Sequence, residues 1–278
     1  MKKWQVGMMM LSVGALGCEA SGSADSLATM DQGISGGQVE TGLPFVGLIY
    51  NQNSGGYHCT GTLISPRVVL TAGHCTYRST AKKMWFVIGP SLDLAQQKIA
   101  VDRVVPHPQF NYAKQLNDIA YLVLTEDAAV APISSGEPMD QTWVGRPLVF
   151  SGYGFSNPAK KSGAFTKRTT DLTTESVSPT VFRVTDPTAS GKMICGGDSG
   201  GPALYVDAAD QHRVAGVVSY GDQKTFAIIT RVDAFLDFAS EALPPPAVTI
   251  PGPQVVPDLP DTQTSVPAPS PPAPDAGK

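Results

Sequence analysis

From residue 34 to about residue 231 the chain alternates between short β-branched or aromatic runs and clusters of Gly, Pro, Asn and Ser. The runs fall at 45–50, 61–64, 68–71, 84–88, 119–124, 147–150, 181–184, 202–206, 214–219 and 226–230. Runs this short, bounded by turn formers at regular spacing, predict antiparallel barrels or sandwiches rather than helix-linked parallel strands. No internal repeat organises them. The pattern changes at the end of the stretch. Val232, Phe235, Leu236 and Ala239 fall at i, i+3, i+4 and i+7, the apolar stripe of a short helix over about 232–243 that packs on the β body and stops before Pro244-Pro245-Pro246.

The two ends of the chain carry different patterns. Met1-Lys2-Lys3 is cationic, and residues 4–16 are apolar apart from Gln5 and Ser12, which is a signal-peptide profile over 1–17. The run is shorter than the roughly 20 residues needed to span a bilayer. Ala15-Leu16-Gly17-Cys18 resembles a bacterial lipobox, in which Cys18 would be diacylated and the protein would meet the membrane only through that lipid. Ordinary cleavage nearby is the alternative, so the chain is expected outside the cytoplasm either as an anchored lipoprotein or as a secreted or periplasmic protein. Residues 18–33 read as a small polar linker or propeptide. Residues 244–278 hold 12 of the 24 prolines and no aromatic residue, too little apolar surface to offset the entropy of ordering, and are expected to form an extended spacer.

Composition narrows the function classes. Of 278 residues 42% are hydrophobic and 16% charged, and the 24 acidic against 20 basic side chains give a net charge of −4. A core can form, but no basic footprint for nucleic acid exists. With both ends set aside, 34–243 leaves 210 residues for the folded body.

Three separated segments of that body carry candidate chemistry. Leu70-Thr71-Ala72-Gly73-His74-Cys75 places a histidine directly after a β run, Asn117-Asp118-Ile119-Ala120 places a carboxylate at the mouth of a buried one, and Cys195-Gly196-Gly197-Asp198-Ser199-Gly200-Gly201-Pro202 places a serine in a glycine-rich turn. Singly, each has an ordinary structural reading as a satisfied polar group or a turn residue. Together they suggest more, because a serine alcohol is a weak nucleophile until a positioned base takes its proton and a carboxylate orients that base.

These segments resemble the chymotrypsin/trypsin family of serine endopeptidases, including its chain order of His, Asp and Ser. The likeness runs from Ile34 to about Leu243 and includes Cys59-Thr60-Gly61-Thr62-Leu63-Ile64-Ser65, Pro106-His107-Pro108 with Phe110, Ser151-Gly152-Tyr153-Gly154 and Val218-Ser219-Tyr220-Gly221. It implies an all-β fold of two six-stranded antiparallel barrels, about 34–128 and 143–230, with the short C-terminal helix.

The resemblance also assigns roles. Ser199 would be the nucleophile, His74 the general base and acid, and Asp118 the group that fixes the imidazole, with Ser219 bonded to that carboxylate. The N–H groups of Gly197 and Ser199 would form the oxyanion hole. Ile34 would become a new N-terminus after cleavage at 33–34 and pair with Asp198. Gly33 there is not basic, so a trypsin-like activator is not expected, and self-cleavage is one alternative. Cys59 and Cys75 would form a disulfide, whereas Cys195 lacks its usual partner. Met193 would form the base of the primary pocket with Tyr220, Gly221 and Ala227 on its walls, favouring small or medium apolar residues over Arg or Lys at P1. His58, His107 and His212 match no catalytic position. The implied partners are a protein or peptide substrate and an activating protease, the chain acting as a monomer. No cofactor is expected, and no metal either, since no zinc spacing occurs and the segment after Gly89 lacks clustered carboxylates.

Overall fold

A computed structural model describes residues 34–52 and 58–242. The expected signal peptide, Cys18 lipid site, linker and Pro-rich spacer lie outside the described residues. In chain order the elements are β1 (Gln38–Val39), β2 (Val46–Asn51), β3 (His58–Ser65), β4 (Val68–Thr71), α1 (Gly73–Thr76), β5 (Met84–Ile88), β6 (Gln97–Pro106) and β7 (Ala120–Leu124). They continue as β8 (Pro147–Gly152), β9 (Arg168–Val177), β10 (Val181–Thr185), β11 (Pro202–Val206), β12 (His212–Gly221), β13 (Ala227–Arg231) and α2 (Leu236–Ala242).

Strands β2-β3-β4-β7-β6-β5 close into one antiparallel barrel. Strands β8-β9-β10-β13-β12-β11 close into a second through the β9–β8 pairing, and β1 adds to the outside edge of β9. Closure leaves neither ring with a long unpaired edge. The first interior is filled by Ile49, Leu63, Val69, Phe86, Ile99 and Leu122, all fully or nearly fully buried. The second is filled by Leu148, Phe150, Leu172, Phe182, Val184 and Ile229. The expected fold class, two six-stranded barrels with a short C-terminal helix, is the observed one.

Three strands escaped the hydrophobic pattern, for physical reasons. β9 points Arg168, Thr170, Leu172 and Thr174 inward, so its buried face is mostly polar and gives no apolar alternation. β6 carries Lys98, Asp102 and Arg103, and its register on β7 shifts between Val101 and Arg103, which breaks the period of two. β1 is two residues long.

One boundary needs correction. Residues 34–39 were expected within the first barrel, yet Ser35 bridges Met193, Gln38 pairs with Thr169 and Val39 with Arg168, all in the second. The far end of the chain does the reverse. Val232, Phe235 and Phe238 pack into the core cluster of the first barrel, with Phe238 against Tyr121 and His107.

Candidate active site

β4 ends at Thr71, and Ala72 leads into α1, a single turn whose second residue is His74. The Cys59–Cys75 disulfide ties this turn to β3. Asp118 precedes β7 and is 1% exposed. Its Oδ1 accepts the His74 backbone N–H at 2.8 Å and its Oδ2 faces His74 Nδ1 at 2.8 Å, which places the ring proton on Nδ1 and leaves Nε2 as the lone-pair nitrogen. Ser219 donates its hydroxyl to Oδ2 at 2.5 Å, and Thr230 Oγ1 donates to the Asp118 carbonyl at 3.0 Å. Burial pushes the Asp118 carboxyl upward, but the hydrogen bond and charge of His74, the Ser219 hydroxyl and the His74 N–H outweigh it and hold the group below its ordinary value.

The turn at 195–201 is tied at several points. Asp198 N–H donates to Cys195 O at 3.1 Å, Gly200 N–H to Val218 O at 2.8 Å and Gly201 N–H to Asp198 O at 2.9 Å. Among the described residues the N–H groups of Gly197 and Ser199 have no acceptor. Backbone donors are normally paired, so two free ones in a tied turn form a ready site for an oxyanion. Gly197 has φ +100°, and a Cβ on it would lie 2.2 Å from His58 Nε2 and 2.8 Å from Gly154 Cα, so only glycine fits.

Asp198 is buried at 2% exposure, its Oδ1 accepting Gly154 N–H at 2.8 Å and its Oδ2 accepting Cys195 N–H at 2.9 Å. Burial pushes this carboxyl up to about 7, against the two N–H donors and the Arg168 charge, which pull it down. Ile34 is also buried at 1% exposure. Its neighbour Ser35 accepts Met193 N–H at 3.0 Å through its carbonyl, so the 34–35 segment runs beside the segment that leads to Asp198.

His74 and Ser199 open onto one cavity of about 300 Å³, whose walls include Ile194, Cys195, Val218 and Ala227. Among the described residues no hydrogen bond joins Ser199 Oγ to His74 Nε2. Contacts of this kind tighten when substrate excludes water. Tyr220 and Gly221 line the cavity as expected, with Ser219 behind them. Met193 does not. It is 1% exposed and packs in the second core, while its neighbour Ile194 lines the cavity. Neither Asp222 nor Lys224 lines the cavity; the Asp222 carboxylate caps the N–H groups of Lys224, Thr225 and Phe226. Cys195 is a buried free thiol, pushed up to about 11 by burial and the Asp198 charge.

Sequence reasoning missed Tyr112 and Gln115, which also line the cavity from the loop before Asp118. Tyr112 stacks on Tyr77 with ring centroids 4.3 Å apart, a contact between residues 35 positions apart in the chain that no local pattern signals. Cys59, His74 and Cys75 bring three potential metal-binding atoms within 4.8 Å, but both sulfurs are spent in the disulfide and offer no thiolate. The other histidines have structural surroundings: His107 packs on Phe235, His212 near Phe45, and His58 lies beneath Gly197 with Nε2 2.9 Å from Tyr153 O.

Comparison with known proteins bears on the same segment. The family model described as Trypsin matches residues 34–239. A trypsin of Phaedon cochleariae is 30% identical over 66% of this chain and 78% of its own length. Melanization protease 1 of Drosophila melanogaster is 28% identical over 70% of this chain and 61% of its own length, so the match spans less than two thirds of that relative. The inactive CLIP domain-containing serine protease A28 of Anopheles gambiae is 30% identical over 61% of this chain and 50% of its own length. These relatives are insect proteins and lend no support to a bacterial lipoprotein. The family match takes in both barrels, from the buried Ile34 to the helix that closes the first core, and with it the chain belongs to the trypsin family of serine proteases.

Proposed function

We propose that this trypsin-family chain is an exported serine endopeptidase acting through Ser199, His74 and Asp118. The observation that carries the reading is the turn of Ser199, whose N–H, like that of Gly197, has no acceptor among the described residues, set on the cavity that the carboxylate-held imidazole of His74 also lines. In this mechanism Ser199 Oγ attacks the scissile carbonyl as His74 Nε2 takes its proton. His74 then returns that proton to the leaving amine, and water repeats the sequence to release the acyl group. Asp118 keeps the proton on Nδ1 and stabilises the imidazolium. The Gly197 and Ser199 N–H groups receive the oxyanion, each supplying about 3 kcal/mol.

The walls of Ile194, Val218 and Ala227 favour small or medium apolar P1 side chains, because among the described residues no carboxylate lines the cavity to neutralise Arg or Lys. Cleavage at 33–34, by another protease or by a second copy, would free an Ile34 ammonium beside the residues that support the buried Asp198. Pairing them would relieve the burial cost and order the turn. Export through residues 1–17 and a lipid on Cys18 belong to the same proposal, and mass spectrometry of the mature N-terminus separates lipidation from plain secretion.

A second reading, a binding module without activity, is favoured by the absent Ser199–His74 hydrogen bond and by the relative named inactive. One experiment separates the two. Chain processed at 33–34 is treated with a fluorophosphonate, beside Ser199→Ala. Labelling of wild type alone is expected, and its absence in folded, processed protein would mean the enzyme reading is wrong. An Arg or Lys preference in a peptide-library profile would refute the pocket assignment alone.

A further inference from the structure

Thr60 is a fully buried hydroxyl on β3 to which the mechanism above gives no part. Its Oγ1 donates to the carbonyl of Gly197 at 2.9 Å and accepts the N–H of Tyr153 at 3.1 Å. Its backbone N–H donates to Ser199 O at 2.8 Å, and its own carbonyl is held by the Thr71 hydroxyl at 3.0 Å. One residue of the first barrel thus grips the nucleophile turn of the second on both sides of Asp198.

The consequence follows from peptide planarity. In a trans peptide the C=O and the N–H point in opposite directions, so holding a carbonyl aims the N–H of the same plane. Phe155 N–H holds Gly196 O at 2.9 Å and thereby aims the Gly197 N–H away from Phe155. That plane alone does not fix the turn, because Gly197, at φ +100°, is a pivot free to rotate on either side. Thr60 holds the carbonyl end of the plane on the other side of the pivot, whose N–H end, from Asp198, is held by Cys195 O at 3.1 Å. With both planes fixed, the Gly197 N–H keeps one direction without needing an acceptor of its own.

We propose that the Thr60 hydroxyl is a positioning group that sets the direction of the Gly197 N–H, and so the strength of the oxyanion site. The inference rests on the endopeptidase reading above. Without the hydroxyl, Gly197 O loses its donor and Tyr153 N–H its acceptor, and the turn relaxes about Gly197. The donor is then tilted rather than removed, so the loss is smaller than the 10²- to 10³-fold that deletion of an oxyanion donor brings.

The test compares wild type, Thr60→Val and Thr60→Ser in chain processed at 33–34. kcat and KM are measured on a peptide anilide with an apolar P1 residue, and inhibition by a peptidyl trifluoromethyl ketone reads the tetrahedral state directly. Thr60→Val is expected to lower kcat about tenfold, leave KM within about twofold and weaken the ketone in step with kcat. Thr60→Ser, which keeps the hydroxyl and loses the methyl, is expected to restore both. A merely structural role would move the denaturation midpoint without this split between kcat and KM. If Thr60→Val does not fold, Thr60→Ala takes its place. Unchanged kcat and ketone affinity in Thr60→Val, beside a wild type that labels at Ser199, would overturn the Thr60 role alone. A wild type that never reacts at Ser199 would overturn the endopeptidase reading and this role with it.

Discussion

The two barrels close in the same way but differ in what they bury. The first is lined on its inside by hydrocarbon, from Ile49 and Leu63 through Phe86 to Leu122, with Thr60 and Thr62 buried on the opposite face of its strands. The second buries Leu148, Phe182 and Ile229 together with Ser151, Lys167, Arg168, Thr170, Thr174 and Asp198. Among the described residues Ser151 Oγ, Thr170 Oγ1 and Thr174 Oγ1 have no hydrogen-bond partner in the second barrel, nor do Thr62 Oγ1 and, in the β6–β7 loop, Gln115 Oε1 in the first. Buried polar groups cost stability unless every one is satisfied. The first barrel, with its hydrocarbon interior, supplies His74, Asp118 and Thr60, and the second, with polar side chains turned inward on β9, supplies the nucleophile turn and the pocket.

The sharpest way to break this division is Gly197→Ala. The added methyl meets His58 from the first barrel and Gly154 from the second at once. Turnover is expected to fall by at least about 10²-fold through loss of the donor geometry. Near-normal kcat on an apolar peptide substrate would show that the turn tolerates rearrangement. Next comes the Cys59–Cys75 bridge, which spans a sequence separation of 16. Replacing both cysteines by alanine is expected to lower unfolding free energy by about 3 kcal/mol in urea titration. A change below about 1 kcal/mol would mean that hydrocarbon packing alone holds the first barrel.

Two carboxylates sharpen the comparison further, because their shifts have opposite signs. Asp198 is raised from 3.8 to about 7. Its contribution is present in full below about pH 4 and lost as pH rises to about 7, with a slope of at most about 1.4 kcal/mol per pH unit. Asp118 is lowered, so its contribution is present above its ordinary value and lost as pH falls through the lower folded value. Urea unfolding of the uncleaved chain at several pH values, with Asp198→Asn and Asp118→Asn as controls, checks both; equal pH profiles for the two variants would contradict the contrast.

The smallest expected effect is at Lys167, 1% exposed, whose ammonium donates to Leu43 O at 3.0 Å and is pushed down to about 8 by burial against the pull of Glu40. Lys167→Met is expected to stabilise the chain by about 1–2 kcal/mol at pH 7. That advantage should shrink from about pH 8 to about 10.5, where the wild-type lysine folds neutral and regains stability. A destabilised methionine variant would show that the single hydrogen bond outweighs desolvation.

The same contrast explains what the sequence made legible. Strands of the hydrocarbon-filled barrel, such as 68–71 and 84–88, stood out as apolar runs and fold where expected. β9 did not, because a strand that buries Arg168, Thr170 and Thr174 looks like a polar loop to any hydrophobic reading. At the site, His74, Asp118, Gly197 and Ser199 were visible because each sits in a short local motif. Tyr112, Gln115 and Thr60 were not singled out, since their parts depend on pairings across the chain, such as the 137 positions between Thr60 and Gly197. Met193 shows the limit from the other side: counting back from Ser199 finds the segment, but which of two adjacent residues faces the cavity is set by the local twist and the Ser35 bridge.

The exchange of chain ends has a consequence of its own. β1, near the start of the described chain, augments the second barrel, and Val232, Phe235 and Phe238, near its end, complete the core of the first. Each half is strapped by an arm from the other. A chain divided within 125–142 would give two fragments that each lack part of their packing and carry the missing part of their neighbour. Such fragments would be poor folders alone and natural complements together, so a split gene at this point would act as a reconstitution reporter rather than as two independent modules.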